Sequence, residues 1–120
     1  MKLRYVGESF GVDELTNGRV YIATIGDFDY YRVFDNSGED YMYLRNNPAP
    51  TDGSSPGGRW EIVEGMTDEE KELDEKFKGA EGAVYNALVD ETIKICERYA
   101  KLYADEIEAN VEYNLQNWGK

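Results

Sequence analysis

The sequence of 120 residues contains no histidine, which removes the commonest general base and the commonest metal ligand. Its single cysteine, Cys96, cannot form an intramolecular disulfide. No stretch approaches the roughly 18 consecutive apolar residues of a membrane-spanning helix, and residues 1–5 lack the apolar run of a secretory signal. These absences predict a soluble, cytoplasmic protein.

Basic residues are also scarce, with 13 Lys and Arg against 25 Asp and Glu and a net charge of −12. Binding to nucleic acids or anionic membranes depends on clustered Lys and Arg, so neither is expected as a direct partner. A protein with a basic surface is the natural complement. The length allows one ordinary domain, or a small domain of about 65 residues with a helical appendage.

Residues 1–65 carry the signals of short β-strands. Runs rich in β-branched and aromatic residues are separated by turn sequences, including Asn17-Gly18 and the segment 35–38. Five such strands predict an α+β protein whose first domain, residues 1–65, is a half-open SH3-like β-barrel. All three prolines fall in 46–58, which is either a functional loop or a mobile connector. The predicted strands cover 3–6, 19–25, 30–34, 41–44 and 60–63.

Residues 66–120 form the second region, where the apolar spacing changes to that of helices. Thr67 and Glu70 fit a capping box, and glycines at 79 and 82 mark a break. The pattern predicts a short helix over 67–78 and a long one over 83–117, the latter about 50 Å in length. Such a helix extends beyond a small barrel, which predicts self-association, as a possible homodimer, or docking through its distal apolar face. The residues expected to lie uncovered there are Ile107, Val111, Leu115 and Trp118.

No group of residues has the pattern of a catalytic or metal site. The acidic segment 35–40 departs from calcium-loop spacing. A calcium loop that began at Asp35 would need glycine at its sixth position and an acid at its twelfth, but Gly38 is fourth and Asn46 is twelfth. Paired acids such as Asp27 and Asp29 are expected by chance in a chain with 25 acidic residues. Cys96 falls on the apolar helical stripe and is expected to be packed. We therefore predict a non-enzymatic protein without a metal or cofactor.

Two surfaces are candidates for protein binding. Tyrosine is abundant, with ten residues, and some of those on the predicted strands could form an aromatic platform, the alternative being cross-strand packing. Acidic side chains recur along the predicted helices and could imitate a row of phosphates, or could serve only as a solvated face. The platform residues are Tyr30, Tyr41 and Tyr43, and the acidic face comprises Glu69, Glu72, Glu75, Asp105, Glu108 and Glu112.

Four segments together resemble small uncharacterised SH3-like proteins of Gram-positive bacteria and their phages. They read LTNGRVY at 15–21, YRV at 31–33, DNSGEDYMY at 35–43 and WEIVE at 60–64. The resemblance covers only the N-terminal half, and the helical region from residue 66 departs from it. It implies a phage or mobile-element origin, a binding fold and no catalytic residues.

Two functions follow from these features. The first is an inhibitor, similar in logic to anti-CRISPR proteins, whose acidic surface occupies a host nucleic-acid-binding or defence protein in the host cytosol. The second is a structural or assembly protein that forms a homo-oligomer or part of a virion. A small hydrolase using paired acids is a weaker third reading, since nothing separates the pKa values of such a pair.

Overall fold

The computed structural model describes residues 1–117 and shows an α+β fold in which five antiparallel strands precede three helices. Trp118 therefore lies outside the described residues. The strands are β1 (Lys2–Gly7), β2 (Val20–Ile25), β3 (Tyr30–Phe34), β4 (Asp40–Leu44) and β5 (Gly58–Glu64). The helices are α1 (Asp68–Phe77), α2 (Gly82–Leu102) and α3 (Ala104–Asn117).

The five predicted strands are confirmed, and they are arranged in the order β4-β3-β2-β1-β5. The first four form a meander, and β5 returns to pair with β1, placing Leu3 opposite Ile62. Turn chemistry permits these reversals, since Gly18 adopts a φ of 85° that favours glycine. Tyr5 and Tyr21 point into the core and are fully buried.

The sheet does not form the predicted half-open barrel, because it stays open between β4 and β5. In residues 1–117 these edge strands share no ladder, and a side chain connects them instead. The Trp60 indole nitrogen donates a hydrogen bond to the Leu44 carbonyl at 3.1 Å, and its ring packs 6.3 Å from that of Tyr43. The Trp60 side chain thus bridges the two edge strands.

The helical region also differs from prediction, because the expected long helix over 83–117 is two helices. α2 ends at Leu102, Tyr103 adopts φ −112° and ψ 26°, and α3 begins at the next residue. Tyr103 packs edge-on against Tyr99 and lies under the Lys2 ammonium, 5.3 Å from the ring centroid. These contacts hold the junction beside β1, and the change of direction brings α3 back onto the sheet.

Sheet and helices share one buried core. Leu73 and Phe77 of α1, Leu88 and Ile95 of α2, and Ile107 of α3 belong to the same buried cluster as the strands. The predicted position of Cys96 within this packing is confirmed, since its side chain is buried. Within residues 1–117, no helix is both long and apolar enough to span a membrane.

Candidate functional site

A groove of about 400 Å³ opens beside the β3–β4 hairpin, and it gathers residues from three loops. The β1–β2 connection contributes Asp13 and Glu14, the hairpin contributes Asp35, and the loop before β5 contributes Pro50. Three carboxyl groups thus face one concave space. The remaining lining residues are Ser37, Tyr41, Met42, Tyr43, Ala49 and Thr51.

Asp35 is the buried, hydrogen-bonded carboxyl group of this groove. Only 2% of the residue is exposed, and its carboxylate accepts hydrogen bonds from the Ser37 amide at 2.9 Å and the Tyr43 hydroxyl at 2.7 Å. Burial raises the pKa of Asp35, and the hydrogen bonds from Ser37 and Tyr43 oppose that rise. The turn sequence therefore holds a desolvated carboxyl group at the base of the groove.

Glu14 lies at the side of the groove and shares its electrostatics. Its pKa is raised, first by desolvation and then by the negative charges of Asp35 and Asp52. Repulsion among carboxylates in a desolvated space disfavours their ionised forms, and a cation placed between them would relieve it. The groove is therefore suited to a positively charged group. Nevertheless, among residues 1–117 no three His, Cys, Asp or Glu side chains are arranged to hold a metal ion.

The three tyrosines of the predicted aromatic platform differ in their exposure. Tyr43 is only 7% exposed, so it belongs to the core, and its expected exposure is wrong. Cross-strand packing explains this, because Tyr43 stands opposite Tyr31 and its hydroxyl is held by Asp35. Tyr41 is 50% exposed at the groove, whereas Tyr30 is partly buried at the opposite end of the hairpin. Only Tyr41 contributes an accessible aromatic surface here.

The predicted acidic face falls into two parts with different surroundings. Every predicted acid on α1 has a basic neighbour: Glu69 pairs with Arg98, Glu72 with Lys76 at 3.3 Å, and Glu75 with Lys78 at 3.0 Å. On α3 the acids at 105, 108 and 112 are exposed and form no ion pair with another described residue. Of the six predicted residues, therefore, those on α3 are the ones without a basic partner among residues 1–117.

The residues predicted for self-association also differ in their exposure. Ile107 is 8% exposed and packs in the core, so the expectation that it is uncovered is wrong. The bend at Tyr103 is the cause, since it turns this face of α3 toward β2. Val111 is partly buried and lies near Gly38, whereas Leu115 is 72% exposed.

Two asparagines that the sequence analysis passed over hold α3 in place. Asn110 donates to the Val20 carbonyl at 2.8 Å and accepts a hydrogen bond from Arg19 at 3.0 Å. Asn114 donates to the Val12 carbonyl at 2.7 Å, next to the groove residue Asp13. Their four-residue spacing, in line with Ile107, was the available signal. α3 is therefore fixed to the β1–β2 connection, which also contributes Asp13 and Glu14 to the acidic groove.

The groove and α3 together form an acidic surface, defined here as Asp13, Glu14, Asp35, Asp105, Glu108 and Glu112. Its chemistry is that of cation recognition, with carboxylates, an exposed tyrosine ring and an apolar rim. Comparisons of the chain with protein-family models, with curated proteins and with solved structures find no match.

Proposed function

We propose that the protein is a non-enzymatic binding module whose acidic surface occupies the basic surface of a host protein that binds nucleic acid or acts in defence. The observation that carries this proposal is the row of unpaired acids on α3 beside the acidic groove. Carboxylates at this density compete with phosphates for the same Lys and Arg side chains of a partner. Phage or mobile-element origin and action in the host cytosol are parts of the proposal that rest on the resemblance.

The arrangement of α3 supports one binding surface rather than two. A side chain added at Gly38 would meet Val111 at 3.0 Å, and Asn114 bonds to the backbone of Val12. Hence α3 touches both the hairpin turn and the β1–β2 connection, which are two walls of the groove. A partner that binds along α3 can therefore also contact the loops that form the groove.

The groove supplies a specific contact within this electrostatic surface. Its volume of about 400 Å³ accommodates a lysine or arginine side chain from the partner. The charged end would meet Asp13, Glu14 and Asp35, and the aliphatic stem would lie against Tyr41 and Pro50. We also assign the sheet to the SH3-like class in this proposal, which is supported by the β1–β4 meander with β5 beside β1.

The test compares two triple charge reversals with the same change in net charge. One variant carries Asp105→Lys, Glu108→Lys and Glu112→Lys, and the control carries Glu69→Lys, Glu72→Lys and Glu75→Lys. Wild type and both variants are immobilised and exposed to a Gram-positive host lysate, and retained proteins are identified by mass spectrometry. The main retained protein is then purified for affinity measurements at low and high salt.

We expect the α3 reversal to weaken binding by at least about 100-fold and the α1 control by less than about fivefold, because only the α3 charges lack internal partners. Wild-type affinity should fall steeply as salt increases. Equal affinities for the two reversals would contradict the proposal, as would a lysate from which wild type retains nothing that the α3 reversal loses.

A further inference from the structure

A second groove, between α1 and α2, differs from the acidic surface in its charge. Its volume is about 710 Å³, and the buried residues Leu73 and Ile95 form part of its lining. Four acidic and four basic side chains line it, so its formal charge is balanced. In a chain with a net charge of −12, this is a region where two copies can approach with little repulsion.

Exposed apolar side chains lie near the two ends of α2, on either side of the residues that line the groove. Val84 is 62% exposed and Leu102 is 70% exposed. They are separated by five helical turns of about 3.6 residues each, so they lie on the same line along α2. Glu91 and Arg98 lie between them at seven-residue steps, on the same side of the helix, and both line the groove.

A second copy of α2 in the antiparallel direction would match the stripe Val84, Glu91, Arg98 and Leu102, with apolar residues against apolar residues and the acid near the base. When a second α2 is placed antiparallel, the register that brings Val84 against Leu102 of the second copy also places Arg98 of the second copy within one helical turn of Glu91, about 4.5 Å along the axis and within reach of these long side chains. A two-fold axis repeats each contact, so both apolar ends are covered and two ion pairs form. A strongly basic partner would gain no comparable advantage from a groove of balanced charge.

We propose that the occupant of this groove is a second copy of the chain, paired through antiparallel α2 helices. Arg98 already contacts Glu69 within its own protomer, and its guanidinium has further N–H donors for Glu91 of the second copy. The pairing uses neither α3 nor the acidic groove. It is therefore independent of the proposed function, and the acidic surfaces stay free on both copies.

The experiment uses complementary charge reversals, Glu91→Arg and Arg98→Glu, each in the full chain. Mass is measured by light scattering after size exclusion, at protein concentrations up to about 1 mM. Wild type should show twice the 13.7 kDa of one chain at the higher concentrations. Each variant alone should be monomeric, because like charges meet at both pairs. An equimolar mixture should regain the dimer mass, because each copy then supplies the charge that the other needs.

Glu8→Arg is the matched control, since Glu8 is an exposed acid in the β1–β2 connection and belongs to neither helix of the groove. It should leave the dimer intact. A milder variant, Val84→Ser with Leu102→Ser, should raise the dissociation constant at least about tenfold without new charge. Thermal unfolding of every variant verifies that it is folded. A monomeric wild type, single reversals that remain dimeric, or a mixture that stays monomeric would each overturn the pairing.

Discussion

Helices α1 and α3 are both acidic and both pack on β2, yet they use their acids in opposite ways. α1 is anchored by a carboxylate: Glu70 is fully buried and accepts hydrogen bonds from the Thr24 hydroxyl at 2.5 Å and the Met1 amine at 3.4 Å. α3 is anchored by the neutral amides of Asn110 and Asn114.

The exposed faces of the two helices also differ in whether their acids have basic partners. Glu69, Glu72 and Glu75 on the outer side of α1 are paired with lysine or arginine, whereas Asp105, Glu108 and Glu112 of α3 have no such partner among the described residues. Local composition therefore does not reveal which negative charges are available to a partner. What decides it is the set of basic residues that the fold brings within reach.

The largest expected effect comes from removing the buried anchor of α1. Glu70→Ala should lower the free energy of unfolding by about 3–5 kcal/mol, because it leaves the buried Met1 ammonium without its counter-ion and the Thr24 hydroxyl without its acceptor. The measurement is urea unfolding followed by tryptophan fluorescence. The exposed neighbour Glu69 provides the control, and Glu69→Ala should cost less than about 1 kcal/mol. Similar losses for both variants would show that the α1 anchor is not special.

Alkaline pH should weaken the packing around the buried anchor Glu70, through the deprotonation of Tyr99. Burial, and then the negative charge of Glu70, raise the pKa of Tyr99 to about 12 from an ordinary value of 10.0. Between these values the folded protein keeps a proton that the unfolded chain has lost. The contribution of Tyr99 is therefore fully present below pH 10 and is lost as pH rises toward about 12.

Unfolding measured from pH 8 to pH 12 should accordingly show stability falling at the alkaline end. Tyr99→Phe should make that decline shallower, because one titrating group is removed from the core. A decline of identical slope in the two proteins would count against a shifted Tyr99.

The anchors of α3 should be weaker than that of α1. Asn110→Ala and Asn114→Ala should each cost about 1–2 kcal/mol, because each variant leaves a backbone carbonyl of the β1–β2 region without its donor. Hydrogen exchange of the α3 amides is the more selective measurement, since loosening should be confined to that helix. Loss of protection across α1 as well would show that the two helices are not held separately.

Reversing the exposed acids of α1 and α3 should have the smallest effect on stability. It should also give the most direct comparison of the two helices. Glu72→Lys with Glu75→Lys should cost about 1 kcal/mol, because two ion pairs on α1 become like-charge contacts. Glu108→Lys with Glu112→Lys should change stability by less than about 0.5 kcal/mol. Both variants change the net charge equally, so a difference in melting temperature reports pairing alone.

Local sequence chemistry was sufficient for the sheet and for the start of α1. Glycine at position 18 marked a reversal, and Thr67 with Glu70 marked the capping box, which the structure confirms. The additional role of Glu70 was not predictable, because its partners Met1 and Thr24 lie far away in the sequence. A residue that caps a helix and neutralises a distant amine shows only the first role in a local pattern.

The end of α2 was missed for a related reason. Tyr103 is neither glycine nor proline, and the apolar spacing continues through it, so nothing local distinguishes the break. Contacts with Tyr99 and Lys2 hold it, and these exist only in the folded protein. The incorrect exposure of Ile107 followed directly. The acidic groove was likewise hidden, since its residues come from β4 and from three loops that are far apart in the sequence.

The position of β1 in the sheet has a consequence for synthesis. One side of β1 can pair with β2 early, but its other side waits for β5, and the Met1 amine waits for Glu70, 69 residues later. At roughly 5–20 residues per second, a ribosome leaves one edge of the first strand open for several seconds. Contacts so distant in sequence also slow folding once the chain is complete. Slow translation between residues 25 and 64 would therefore lengthen the time during which the nascent chain is open to misassembly.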